Sequence, residues 1–219
     1  MASKKAVRRL VITVIFFLCL APAGVLLWEA LNDQLSANPI SDITNETGIW
    51  TLRFLLIGLS LTPLRMLTGW TLPAQLRRMF GLFAFFYVCL HFTTFIWLDK
   101  FFDLDEMLRD VAKRKFITVG FTSFVLLIPL ALTSTDWMMK KLGGKRWKRL
   151  HTLVYFAATG GVIHYLWLVK ADTQRPIIYG TILLALLGVR LWKWLQQRPP
   201  RRAPSLTSAP GALADSSGG

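Results

Sequence analysis

The chain has 219 residues, 53% of them hydrophobic, and a formal net charge of +14; its mean hydropathy is +0.45. The apolar residues come in long runs instead of periodic stripes, which excludes an ordinary soluble domain and indicates an integral membrane protein. Counted separately on the two sides of a membrane, the charges follow the positive-inside pattern, so the excess is topological and the expected surroundings are lipid, with no nucleic acid.

Six runs have roughly spanning length, near residues 9–30, 48–67, 79–98, 116–135, 150–169 and 176–195. The expected fold is an all-α bundle of six transmembrane helices with both termini cytoplasmic. Residues 1–8 form the cytoplasmic N-terminus, 9–195 the transmembrane domain, and 196–219, rich in Pro, Arg, Ser, Ala and Gly, a disordered tail. The first run imitates a signal peptide up to Ala21-Pro22-Ala23, but it continues through Leu26, Leu27 and Trp28, so a retained helix with a kink at Pro22 is expected. The second run closes on Thr62-Pro63-Leu64-Arg65, where proline is expected to end or bend the helix.

The third run enters through Arg77-Arg78 and carries His91 roughly 20 Å further along. After it, Leu104, Met107, Leu108 and Val111 recur at helical spacing, as in a short amphipathic helix on the outer surface. The fourth run has no ionisable residue. Gly143-Gly144 in the basic turn that follows lacks the spacing of a phosphate loop. The fifth run continues a stretch from Trp147 to Lys170 that reads as one helix, with His151 near its inner end and His164 roughly 20 Å deeper. The sixth starts at Pro176 and ends in Arg190 and Lys193. Cys19 and Cys89 lie inside apolar runs and read as packing residues.

All three histidines fall in these runs. An imidazole in hydrocarbon is costly and usually faces the bundle interior in a working role. The third and fifth runs both travel outward, which puts His91 and His164 at one depth. Neutral imidazole is a normal axial ligand of haem iron, so the pair suits a six-coordinate b-type site. His151 is level with Arg77, which has no lone pair to give a metal. Arg77 or Arg78 suits a haem propionate instead, and whether His151 holds a second haem stays open. On an ideal helix the 13 residues from His151 to His164 leave about 140° between them, and Gly160-Gly161 marks where the helix could distort. A histidine-dependent proton or ion transporter is the alternative. It requires ionisable partners inside the spans, and the runs show almost none.

In order along the chain, Asn38-Pro39, Thr47-Gly48, Thr62-Pro63-Leu64, Arg77-Arg78, Gly81-Leu82, His91, Leu132-Thr133-Ser134-Thr135, Trp147, Leu150-His151, Tyr155, His164-Tyr165-Leu166-Trp167, Pro176 and Tyr179 resemble the MsrQ (YedZ) family of the ferric-reductase-like transmembrane group. The resemblance covers nearly all six runs and not the tail. It implies a bacterial inner-membrane b-type cytochrome with one or two haems, drawing electrons from the quinone pool or a cytosolic flavin reductase, with FMN associated. The recipient it implies is a periplasmic molybdopterin reductase, MsrP, that repairs oxidised methionines. His91, His164 and His151 match the family's histidines as metal ligands, and Arg77, Arg78 and Trp147 are the implied cofactor contacts. No residue is expected to act catalytically on a substrate.

Overall fold

The computed structural model describes residues 2–69, 72–169 and 171–196. Its helices are α1 (Ala2–Leu31), α2 (Pro39–Thr68), α3 (Leu72–Thr93), α4 (Leu104–Lys113), α5 (Lys115–Leu132), α6 (Asp136–Leu142), α7 (Gly144–Leu150), α8 (Leu153–Leu168) and α9 (Gln174–Gln196), with a π-helical turn at Thr94–Asp99 directly after α3. No strand occurs among the described residues. The expected tail beyond Gln196 lies outside them.

Among the described residues, five helical segments are long and apolar enough to cross a membrane. The fifth expected span is the exception, because the stretch from Trp147 to Lys170 is not one helix. It breaks at His151 and Thr152, and α8 has 16 residues, about 24 Å at 1.5 Å per residue. The expected amphipathic helix is present as α4, capped by the Asp103 carboxylate, which accepts from Glu106 N–H at 2.9 Å.

The core is built around α2. Leu52, Phe54, Leu55, Leu56 and Leu59 pack with Phe83, Ala84 and Tyr87 of α3, Leu127 and Leu130 of α5, Ala157 and Ala158 of α8, and Leu183 of α9. Large apolar side chains such as Leu18, Leu27, Leu184 and Leu191 point outward, as they do where lipid is the solvent. The most extensive helix pairs are α2 with α3 and α5 with α8. Small residues permit the second approach: a Cβ on Gly160 would collide with the Ser123 hydroxyl.

Pro63 does not end α2, which continues for five residues to Thr68 and stops at Gly69, whose φ is +70°. A proline removes one N–H and frees the carbonyl four residues earlier, here that of Leu59. Arg190 from α9 supplies the missing donor, its Nη2 lying 2.6 Å from the Leu59 oxygen. Pro22 of α1 frees the Leu18 carbonyl, and the bond one residue further on is bridged from α3. The Tyr87 hydroxyl accepts from Ala23 N–H at 3.0 Å and donates to the Cys19 carbonyl at 2.9 Å, bridging the backbone groups that one helical bond would join. Tyr87→Phe therefore strands buried backbone groups, and a loss of about 1–3 kcal/mol is expected. It should register as a lowered melting temperature in detergent, with α1 the first helix to be cut by protease.

Just after the π-helical turn, Lys100 is buried and pairs with Glu106 at 2.7 Å and Asp110 at 2.8 Å. The hydrogen bond from Lys100 holds the Asp110 carboxyl below its ordinary range, with the Lys100, Arg114 and Lys113 charges adding to the effect. Since the fold favours the charged form, this contribution is complete above about pH 4 and fades as pH falls through the lower native value. Proteolysis at the α4–α5 junction should therefore accelerate only below that range.

Candidate functional site

Two helix pairs each hold one imidazole. His91, near the end of α3, lies in the α2–α3 interface with its Nδ1 2.9 Å from the Thr44 carbonyl oxygen. His164, near the end of α8, lies in the α5–α8 interface with its Nδ1 2.7 Å from the Phe116 carbonyl. A carbonyl can only accept, so Nδ1 carries the proton in both rings and the Nε2 lone pair is left for another partner.

The ring slots are alike. A Cβ on Gly48, four residues after Thr44, would stand 3.1 Å from His91 Nδ1; one on Gly120, four residues after Phe116, would stand 2.6 Å from His164 Nδ1. Glycine at that spacing clears one helical turn so that a ring can reach the carbonyl beneath it. The two rings then meet with centroids 6.1 Å apart and planes at 82°. Phe116 borders His164 at 6.1 Å. The matched depth of His91 and His164 expected from the sequence is thus present as a close pair.

His151 is elsewhere. It caps α7 at the break before α8, its Nδ1 3.1 Å from the Trp147 carbonyl, and the Trp147 indole stacks on its ring at 3.8 Å and 25°. Trp147 Nε1 donates to the Thr133 carbonyl at 2.8 Å. His151 Nε2 is buried and meets no group in hydrogen-bond geometry, although the Leu130 carbonyl lies close to the ring. The 140° expected between His151 and His164 on one ideal helix does not carry over, because the ladder tightens at the break, with Thr152 N–H on the Arg149 carbonyl and Tyr155 N–H on that of Thr152; α8 runs unbroken through Gly160 and Gly161.

Of the two expected arginines, Arg78 pairs with Asp136, and Arg77 lies among Arg65, Arg190 and Tyr155. A pocket of about 650 Å³ at this end of the bundle is lined by Arg8, Ile12, Arg78, Ser134, Thr135, Asp136, Met139 and Trp147. Two residues escaped the sequence reading. Arg190, counted as a surface charge, turns inward to Leu59 and Tyr155. Arg53 sits in the middle of α2, donating to Tyr179 Oη at 3.1 Å, with its guanidinium 4.5 Å over the Trp50 ring. A lone arginine inside an apolar run is itself the signal that marks it.

Residues 47–162 match the family described as ferric reductase like transmembrane component. A relative from Herminiimonas arsenicoxydans, named protein-methionine-sulfoxide reductase heme-binding subunit MsrQ, is 56% identical over 91% of this chain and 92% of its own length. The chain belongs to the MsrQ family. Proteins of the same name from Rhodospirillum rubrum and Bordetella pertussis are 50% and 47% identical, over 87% and 86% of this chain and 92% of each relative. No solved structure matches the chain. It is a multi-pass, all-α membrane protein.

Gly120→Ala should force His164 off the Phe116 carbonyl at a cost of about 1–3 kcal/mol. Gly188→Ala, with nothing within 4 Å of its Cβ, should be neutral or mildly stabilising. Thermal unfolding of the two variants in one detergent separates the slot from a general effect of removing a helical glycine.

Proposed function

We propose that the chain is the membrane-embedded b-type cytochrome of a bacterial methionine-sulfoxide reductase system, with His91 and His164 as axial ligands of one haem. The ring pair carries this reading. A first-row metal bonded at about 2 Å to one nitrogen of each of two opposed imidazoles keeps the ring centres about 6 Å apart, and the rings stand at 6.1 Å. Among the described residues no group of three or more His, Cys, Asp or Glu side chains could share an ion. Two protein ligands suit an iron whose other positions are filled by a macrocycle.

Bound there, haem supplies one-electron transfer. The protein's own contribution is orientation. The Thr44 and Phe116 carbonyls hold each ring in one tautomer and raise the basicity of Nε2. Beside the pair stand Phe116, whose ring centre is 6.1 Å from that of His164, and the partly buried Leu90 and Tyr165, packed against the apolar core of α2, α3, α5 and α8. A proton-transport role draws less support, since both Nδ1 atoms are committed to backbone carbonyls.

The reading extends to six spans with both termini cytoplasmic in the bacterial inner membrane. At the inner end, Arg77, Arg78, Trp147 and His151 are the residues we assign to a further cofactor, a second haem or FMN. Electrons would enter there from the quinone pool or a cytosolic flavin reductase and leave outward to the periplasmic molybdopterin reductase MsrP.

The test is the dithionite-reduced minus oxidised spectrum of the detergent-purified protein. A b-type α-band is expected, lost in His91→Ala and in His164→Ala. Haem retained in both variants would overturn the ligand assignment, and a colourless wild type after haem-replete expression would overturn the cytochrome reading. The haem-to-chain ratio of His151→Ala against wild type decides whether His151 holds a haem of its own.

A further inference from the structure

The carbonyl that holds His164 belongs to Phe116, in the first turn of α5, and α5 is joined to α4 by the single residue Arg114, whose φ is −99° and ψ 99°. His91 is followed by the π-helical turn, which packs on α2 and is closed by Lys100. These segments meet at one carboxylate. Asp110 Oδ2 takes the buried Lys100 ammonium at 2.8 Å, and Asp110 Oδ1 takes Arg114 Nε at 3.1 Å. The Arg114 N–H also bonds the Asp110 carbonyl at 2.9 Å, and the Thr118 hydroxyl donates to the Val111 carbonyl across the junction. The side chains of Lys100 and Asp110 are 7% and 12% exposed, so little water can replace their contact once it is lost, although Lys100 keeps the Glu106 carboxylate at 2.7 Å.

We propose that Asp110 is the positioning residue of the histidine pair: its carboxylate ties the chain segment that follows His91 to the segment whose Phe116 carbonyl orients His164, and so sets how the two rings face each other. Arg114 is half in solvent and contributes less. The shared, buried contact is with Lys100. Neither residue touches the rings, so the effect reaches them through the π-helical turn on one side and the α4–α5 junction on the other. A π-turn next to a working side chain is a common place for such adjustment.

The test rests on the reading that the pair holds a haem, and it uses the full chain purified with haem. Rings at 82° give a strongly anisotropic low-spin electron paramagnetic resonance signal when they ligate one iron. Asp110→Asn is expected to shift that signal towards a less anisotropic form and to speed haem loss to an apo-globin acceptor about tenfold, the scale typical of second-sphere changes. Asp110→Glu should restore most of both. Asp105→Asn, an identical charge change on an exposed residue of the same helix, should match wild type.

Should Asp110→Asn not fold, the double variant Lys100→Met/Asp110→Asn removes both halves of the buried pair and should still show the altered signal and faster loss. Wild-type signal and wild-type haem loss in a folded Asp110→Asn, or in the double variant, would overturn the proposal. A wild-type protein with no low-spin haem would instead overturn the ligand reading on which the test rests.

Discussion

Inside a bilayer a polar group has no water to turn to, so each one must find its partner within the protein. That constraint explains the placement of both imidazoles. His91 and His164 each give their one N–H to a helix carbonyl, those of Thr44 and Phe116, and each reaches it over a glycine four residues further on. With one nitrogen fixed, the other has its direction and its lone pair set. Two rings built this way on two helix pairs stand 6.1 Å apart, each with its Nε2 lone pair left for another partner.

The same constraint shapes the places where helices are interrupted. Pro63 frees the Leu59 carbonyl, and Arg190 meets it; Pro22 interrupts α1, and the Tyr87 hydroxyl bridges the neighbouring backbone pair. In both cases the repair comes from another helix, so a local defect becomes a contact that fixes how helices pack. Arg53 follows a related logic, covering its charge with the Trp50 ring and the Tyr179 hydroxyl. The two ends of the bundle differ in kind. At one end Arg8 and Arg78 line a pocket with Trp147, whereas at the other Lys100, Asp110 and Arg114 bind the π-helical turn to α4 and α5.

Much of this was legible in the residue order. Run lengths gave the helical membrane architecture, helical spacing gave α4, and counting residues from the basic entries put His91 and His164 level. Depth along a helix depends only on rise per residue, which is nearly constant. The family likeness rested on short motifs distributed over the same runs, and the relatives from three bacteria bear it out.

Other features depend on which helices become neighbours, and no periodicity encodes that. From the sequence Pro63 was expected to end or bend the helix, and the Arg190 donor that meets the freed carbonyl lies 127 residues away in the chain. Trp147 to Lys170 read as continuous because nothing in the apolar pattern marks a break at His151 and Thr152. Gly120 carried no signal until His164 was seen against it, and nothing in the helical spacing of α4 singled out Asp110. Composition and spacing therefore decided that this is a helical membrane protein with two histidines at one depth. Packing decided that their rings face each other, which carbonyls hold them, and that His151 stands apart, because a side chain's azimuth and its partners are properties of neighbouring helices and not of one helix alone.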